Sequence, residues 1–422
     1  MSMGKQSLKE EVKQYLLDRR VLAGLWILLG LISALTKMGV TRHNNYDIFR
    51  YVFFNTWNGT SLYDVAQHGE YLDQNHYGPL FSVIIAPFAV MPVWMGLILW
   101  NVCLAAFLYW AVDRYCKVAF TSGKANSIMF PFIIWFCAHE LLTALFMQQF
   151  NVAIAAIILL SFYFVEKEHD EWATLFIVIG TLVKLYGIVG VAFFFFSRHK
   201  MKFVISFFLW VAVLFCLPML ISSPEYQVGQ YQEWITCLMG KNDANQLSLY
   251  QNISLLGIVR KVLYAFTGGY VVDNSHWTGG TNPDYSDALL IAIGCLLMAI
   301  GYFRIGQWKN SEFRQSVLAA VLMFVCLFSS GTESSGYIIA LVGCSIWYCC
   351  APWKRSKLDV ALMVLAFVVT SLSPSDLFPR YLRTEFILPY ALKALPVVLI
   401  WAKLVIELTM RDYSKHLKTE TK

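Results

Sequence analysis

The stretch VLAGLWILLGLISALTKMGV (21–40), running directly into TRHNNYDIFRYVFFNTWNGTSLYD (41–64), decides the fold class. Its first part carries one charge, Lys37, and about twenty residues of helix suffice to cross hydrocarbon. It follows a charged segment and lacks a small-residue cleavage site, so it is expected to stay as a membrane anchor. Its second part is polar, aromatic-rich and placed where the chain must leave the membrane. Outward from it, the 422 residues are 58% hydrophobic and only 14% charged, more apolar surface than one soluble core buries. Lipid leaves backbone groups no water to bond, so the long apolar runs must be helices.

The formal charge of +6 sits in short Lys/Arg clusters between apolar runs. That is the positive-inside pattern, and it excludes nucleic acid as the partner. Nearly all ten cysteines fall in apolar segments and only Cys237 lies in a clearly polar loop. Neither a disulfide framework nor a zinc site is expected. Lys5, Lys9, Lys13, Arg19 and Arg20 place the N-terminus in the cytoplasm, and each later basic turn must then fall on the same side. About twelve transmembrane helices satisfy every cluster, with the tail holding Arg411, Lys415, Lys418 and Lys422 also cytoplasmic. The reading is an all-α polytopic membrane protein, one integral domain over 1–422. Residues 41–92 form a first outer loop, in which PLFSVIIAPFAVMP (79–92) is too short to span and is expected as an interfacial helix. Residues 222–285 form a second outer loop with an amphipathic piece near 253–266. The sixth span, ending at SRHKMK (197–202), is the least sharply bounded.

The outer side holds the polar residues that topology leaves unexplained. Asp47, Arg50, Tyr51 and Phe54 follow i, i+3, i+4, i+7 and share one helical face. That face either holds a carboxylate against a cavity or is a solvated Asp47–Arg50 pair. Glu333, in the turn SSGTESSG, is either a reactive carboxylate or a helix cap. Glu140 closes the outer end of the third span. Lys184 is a cation in an apolar run, needing an anionic partner or a snorkelling path. Arg260, Lys261, Arg380 and Arg383 break the positive-inside pattern, which suggests an anionic ligand. Asn58 and Asn252 head glycosylation triplets, and His43, His68 and His76 read as surface histidines. No P-loop, dinucleotide fingerprint, HExxH or GxSxG occurs. No cofactor is expected; loop 1 has no D-x-D, so a divalent metal is not indicated.

Taken together, DIFRYVFFNTWNGTSLYD and HYGPLFSVIIAPFAVMPVWMGLILWNV resemble the N-terminal signature of glycosyltransferase family 87 in the C-type (GT-C) superfamily. The matching features are Asp47 soon after the first helix, the Gly59–Asp64 turn, the Tyr77–Phe81 segment, Pro92 and Trp100. QQFNVAIAAIILL is similar to the family's G-Q-x-N turn, with Gln149 replacing the glycine, and Lys184 begins a K-x-x-P-like segment in which Gly187 replaces the proline.

The resemblance implies a GT-C fold and inverting transfer of mannose or another sugar from a polyprenyl-phosphate donor to a lipid-linked or glycan acceptor. Transfer takes place on the outer face of the membrane, here expected to be a bacterial inner membrane. In that reading Asp47 is the general base with Glu333 a second catalytic carboxylate. Lys184, Arg380 and Arg383 hold the donor phosphate. Arg50, Tyr51, Tyr63, Tyr77, Gln149 and Asn151 contact sugar and acceptor, and membrane lipid is the other partner. The competing readings are a transporter or flippase of lipid-linked glycans, which would carry its polar residues at mid-membrane, and a non-catalytic scaffold that binds such glycans.

Overall fold

A computed structural model describes residues 14–39, 43–64, 71–120, 123–272, 276–284 and 286–414. His68 and the basic residues of the two termini, Lys5, Lys9, Lys13, Lys415, Lys418 and Lys422, lie outside the described residues.

The first span is α1 (Arg19–Lys37), started by the Asp18 carboxylate, which accepts from the backbone N–H groups of Arg20 at 2.7 Å and Val21 at 3.2 Å. Then come α2 (Asn44–Asn58) and α3 (Phe81–Ala89), two short helices within residues 41–92. The second is the nine-residue element with Pro87 inside it, as its length and prolines require. Next are α4 (Val93–Ala119), α5 (Gly123–Phe146), α6 (Asn151–Glu166) and α7 (Asp170–Val183).

Lys184 is extended, and the chain resumes as a 3-10 helix over Leu185–Phe196. This segment folds back along α7: a Cβ on Gly187 would stand 2.4 Å from the carbonyl carbon of Gly180, and one on Gly190 would stand 2.6 Å from the Ile177 side chain. Its 12 residues at about 2.0 Å rise cover roughly 24 Å, against about 18 Å for an α-helix. The segment therefore gains reach from its winding, and the turn back along α7 places Lys184 at its tip.

After α8 (Lys200–Cys216) come α9 (Pro224–Asn245) and α10 (Leu255–Phe266) within residues 222–285, followed by a hairpin pairing Tyr270–Val272 with His276–Thr278. Helices α11 (Asp287–Tyr302), α12 (Ser311–Leu327), α13 (Tyr337–Cys350) and α14 (Lys357–Leu365) follow, and α15 (Leu395–Met410) closes the described chain. The expected amphipathic piece is α10. The 22-residue α9 was not expected, although its Ser-Pro start is a helix signal: the Ser223 hydroxyl accepts from the Tyr226 N–H at 3.2 Å.

Among the described residues, four helices are long and apolar enough to cross a membrane: Arg19–Lys37, Val93–Ala119, Ala125–Phe146 and Lys200–Leu220. The protein is an integral membrane protein. Helices α6 and α12–α13 form the buried centre, α6 packing against α4, α7 and α13. Helix α8 instead exposes Ile205, Phe208 and Leu209, a surface suited to lipid. Basic turns are paired with carboxylates. Arg314 grips Glu166 through Nε at 2.6 Å and Nη2 at 2.7 Å, Arg19 and Lys117 share Asp113, and Arg355 lies 3.4 Å from Glu407.

Candidate active site

The α5–α6 turn, the Lys184 break and the α12–α13 turn meet around a cavity of about 610 Å³, so all three lie at one end of the bundle. Helix α2 contributes Asn45, Ile48 and Phe49, and the 222–285 segment contributes Trp234, Lys241 and Gln251. The 41–92 segment is held over it by α9. Tyr226 Oη donates to the Thr60 carbonyl at 2.6 Å, Gln230 accepts from the Leu62 N–H at 2.8 Å, and Trp234 donates to the His76 carbonyl at 3.0 Å. Tyr226, Gln230, Glu233 and Trp234 share one helical face, a sequence signal for this clamp. The segment after Tyr77 docks on the end of α7: the Gly78 N–H donates to the Val183 carbonyl at 2.9 Å, and a Cβ there would stand 2.0 Å from the Leu182 oxygen. Only glycine fits.

Lys184 reaches into the cavity and donates to Asn151 Oδ1 at 2.7 Å, with its ammonium 5.5 Å from the Tyr77 ring centre and 5.1 Å from that of Tyr186. No carboxylate lies within ion-pair distance of it among the described residues. Tyr77 Oη donates to Gln149 Oε1 at 2.7 Å, and Gln149 Nε2 points to Glu333 Oε2 at 3.5 Å. The other Glu333 oxygen accepts from Gln251 Nε2 at 3.0 Å and lies 3.7 Å from Lys241 Nζ. Glu333 makes no capping hydrogen bond to the short helix that follows it, so capping does not account for it.

Glu333 and Gln251 also line a second cavity of about 630 Å³, bounded by the α5 end, the 371–376 turn and the segment leading to α15. They form a wall between the two chambers. The second chamber contains Arg383 and Lys393. Lys393 is buried and donates to Glu140 Oε1 at 2.8 Å, to the Ser334 carbonyl at 2.9 Å and to its hydroxyl at 2.8 Å.

The residues expected from the sequence thus divide. Lys184, Gln149, Asn151, Tyr77 and Glu333 come together. Arg383 faces the second cavity instead, donating to the Ser375 carbonyl at 3.1 Å, and Arg380 is exposed and lines neither chamber. Tyr63 and Tyr77 are buried, Tyr63 donating to the Tyr77 carbonyl at 2.9 Å and Tyr77 stacking on Phe81, and of the two Tyr77 lines the first cavity. Tyr51 packs on Tyr71.

Asp47 sits on the face of α2 turned away from Asn45, Ile48 and Phe49. It hydrogen-bonds His43 Nδ1 at 2.6 Å, while Arg50 donates to the Ala89 carbonyl at 3.2 Å. The i,i+3 pair does not form, and His43 is not a free surface histidine. Burial raises the Asp47 pKa, opposed by His43 and Arg50. Arg260 and Lys261 serve structure: Arg260 pairs with Asp287 at 2.7 Å, and Lys261 donates to the Gln251 and Asn252 carbonyls. Asn252 is buried, which removes it as a glycan acceptor; Asn58 is exposed. The left-handed residue of the α5–α6 turn, where glycine is at no disadvantage, is Gln148 at φ 50° rather than Gln149.

These features define a membrane protein with a polar, cation-bearing chamber at one end of its helices. The chain belongs to glycosyltransferase family 87, whose profile matches residues 75–330, well over half its length. The match includes Tyr77, Gln149, Asn151, Lys184, Lys241 and Gln251 and stops just short of Glu333. Among solved structures, the chain is similar to the apo crystal structure of the Archaeoglobus fulgidus oligosaccharyltransferase, at 12% identity and a TM-score of 0.41. The alignment covers 96% of this chain and 59% of that one, so the chain spans about three-fifths of that enzyme's length. No curated protein matches the sequence. Membership of that family supports a glycosyltransferase over a transporter.

Proposed function

We propose that the chain transfers a sugar from a polyprenyl-phosphate donor to a lipid or glycan hydroxyl on the outer face of the membrane, with inversion. The observation that carries the reading is Glu333, held by amide donors in the wall between two cavities, one of which presents Lys184 without a carboxylate partner. The donor phosphate occupies the first cavity beside Lys184 and Lys241. An acceptor hydroxyl attacks the anomeric carbon as its proton passes to the Glu333 carboxylate. The bond from that carbon to the phosphate oxygen breaks, its electron pair stays on the phosphate, and the two lysines stabilise the charge. The leaving group is anionic already, so cations serve it better than an acid. The surrounding frame is a twelve-span chain with both termini cytoplasmic, in a bacterial inner membrane.

A second reading keeps Asp47 as the base, favoured by its 2.6 Å hydrogen bond to His43 and by the burial that makes its carboxylate more basic. Parallel E333Q and D47N variants decide between them. Loss of a general base costs about 10²–10⁴ in kcat. That loss is expected for E333Q, and D47N stays within about tenfold of wild type on the same scale. The reverse result transfers the role to Asp47.

A further inference from the structure

The turn that carries Glu333 is held by a buried charge that the transfer step does not use. Lys393 lies in the 3-10 turn Leu392–Ala394, just ahead of α15, and is 3% exposed. An ammonium group has three N–H donors. Here all three are placed: Glu140 Oε1 accepts at 2.8 Å, the Ser334 carbonyl at 2.9 Å and the Ser334 hydroxyl at 2.8 Å. Two of the three therefore go to the residue that follows Glu333.

Neutralising Glu140 would need only the first of these contacts. Gripping both the backbone and the side chain of Ser334 fixes how that residue lies, and Glu333 is one Cα step of about 3.8 Å away. The lysine is itself held at both ends. Glu140 on α5 takes its tip, and the Thr370 hydroxyl donates to its backbone carbonyl at 2.8 Å. Its ammonium also lies 5.2 Å from the ring centre of Tyr337, the first residue of α13. On either side of Glu333 and Ser334 the turn is tied by neutral groups: the Ile253 N–H donates to the Thr332 carbonyl at 2.8 Å, and Asn151 Nδ2 donates to the Ser335 hydroxyl at 3.3 Å. Hydrogen bonds from a charged donor are stronger than such neutral ones, so the grip on Ser334 is the stiffest of these ties.

We infer that Lys393, aimed by Glu140, is a positioning residue: through Ser334 it holds the Glu333 carboxylate in place between the two cavities. The inference rests on the reading of Glu333 as the base, and Lys393 acts through Ser334 rather than on a substrate. Displacing a reacting group by about 1 Å can cost about 10²-fold in rate, so a tie one residue away is enough to matter.

The test compares three variants with wild type as full chains in nanodiscs, with polyprenyl-phosphate mannose as donor and octyl glucoside as acceptor. In K393M/E140L an apolar pair replaces the buried ions, Ser334→Ala loses only the hydroxyl contact, and E333Q removes the base. The double variant should unfold near wild type in SDS yet lose about 10–10²-fold in kcat at unchanged donor KM. Amides of residues 329–336 should exchange with deuterium faster in it than in wild type. Ser334→Ala should lose severalfold in kcat, and it guards against misfolding of the double variant. A pair that served stability alone would leave kcat and turn exchange at wild-type values once stability is restored, and that result overturns the inference. So does a kcat loss in the double variant with exchange of the turn unchanged. Wild-type kcat in E333Q instead counts against the base reading, and turn exchange, which needs no substrate, then reports separately on whether Lys393 holds the turn.

Discussion

Replacing Lys393 with methionine strips Glu140 of the only partner its carboxylate has among the described residues. Glu140 is fully buried, and its second oxygen, Oε2, has no hydrogen-bond partner even in the intact protein. Breaking a buried pair by removing one member costs about 3–5 kcal/mol. An independent bound comes from protonation: neutralising a carboxyl of ordinary pKa about 4.3 at pH 7 costs 2.7 units at 1.36 kcal/mol each, roughly 3.7 kcal/mol. The same calculation at pH 5 gives about 1 kcal/mol. Unfolding the purified protein by SDS titration in mixed micelles should therefore show K393M destabilised by about 3–4 kcal/mol at pH 7, with most of the deficit gone at pH 5. The double variant K393M/E140L should recover much of the loss, since apolar replacement of a buried pair is often neutral. A K393M deficit under about 1 kcal/mol, or one equal at the two pH values, would refute the reasoning, because the pair would then be solvated.

Gly187→Ala should destabilise by about 1–3 kcal/mol or more and disturb Lys184, because its Cβ would meet Gly180 backbone at 2.4 Å; unchanged SDS unfolding would contradict the packed hairpin. Burial lowers the Lys261 pKa to about 7, so between about 7 and its usual 10.5 the unfolded chain holds a proton that the folded one has lost. Stability should then rise with pH across that window, and Lys261→Met should flatten the rise; an unchanged slope in the variant removes Lys261 as its source. Expression in a eukaryotic secretory membrane should give a glycan on exposed Asn58 and none on buried Asn252, read as one endoglycosidase-sensitive mobility shift. Modification at Asn252 would contradict the fold of the second outer loop.

Apolar run length and Lys/Arg parity made the membrane class legible, because those signals are local. So were two short helices within residues 41–92 and the place of Lys184 near a helix end. The pairings that give these residues partners were not, since each joins distant parts of the chain. Lys393 meets Glu140 across 253 residues, and the Gln230 contact to Leu62 spans 168. Asp47 and Arg50 have the spacing of an ion pair, yet Asp47 bonds His43 one turn back, a local pairing, and Arg50 reaches the Ala89 carbonyl 39 residues on. Arg383 carries the same charge as Lys184 in an outer loop, and only the path of the chain before α15 shows that it serves a different cavity. The 3-10 winding after Lys184 depends on a glycine contact between two segments, which periodicity cannot register.

The most direct test of the central claim is donor use by the purified chain in nanodiscs. Polyprenyl-phosphate and nucleotide-linked forms of the same radiolabelled sugar are supplied in turn with a neutral glycolipid acceptor. The account predicts transfer from the polyprenyl-phosphate form alone, with K184Q lowering it by about 10²–10³, the scale of one lost charge-stabilising donor. Transfer from the nucleotide sugar instead, or full activity in K184Q, would contradict it.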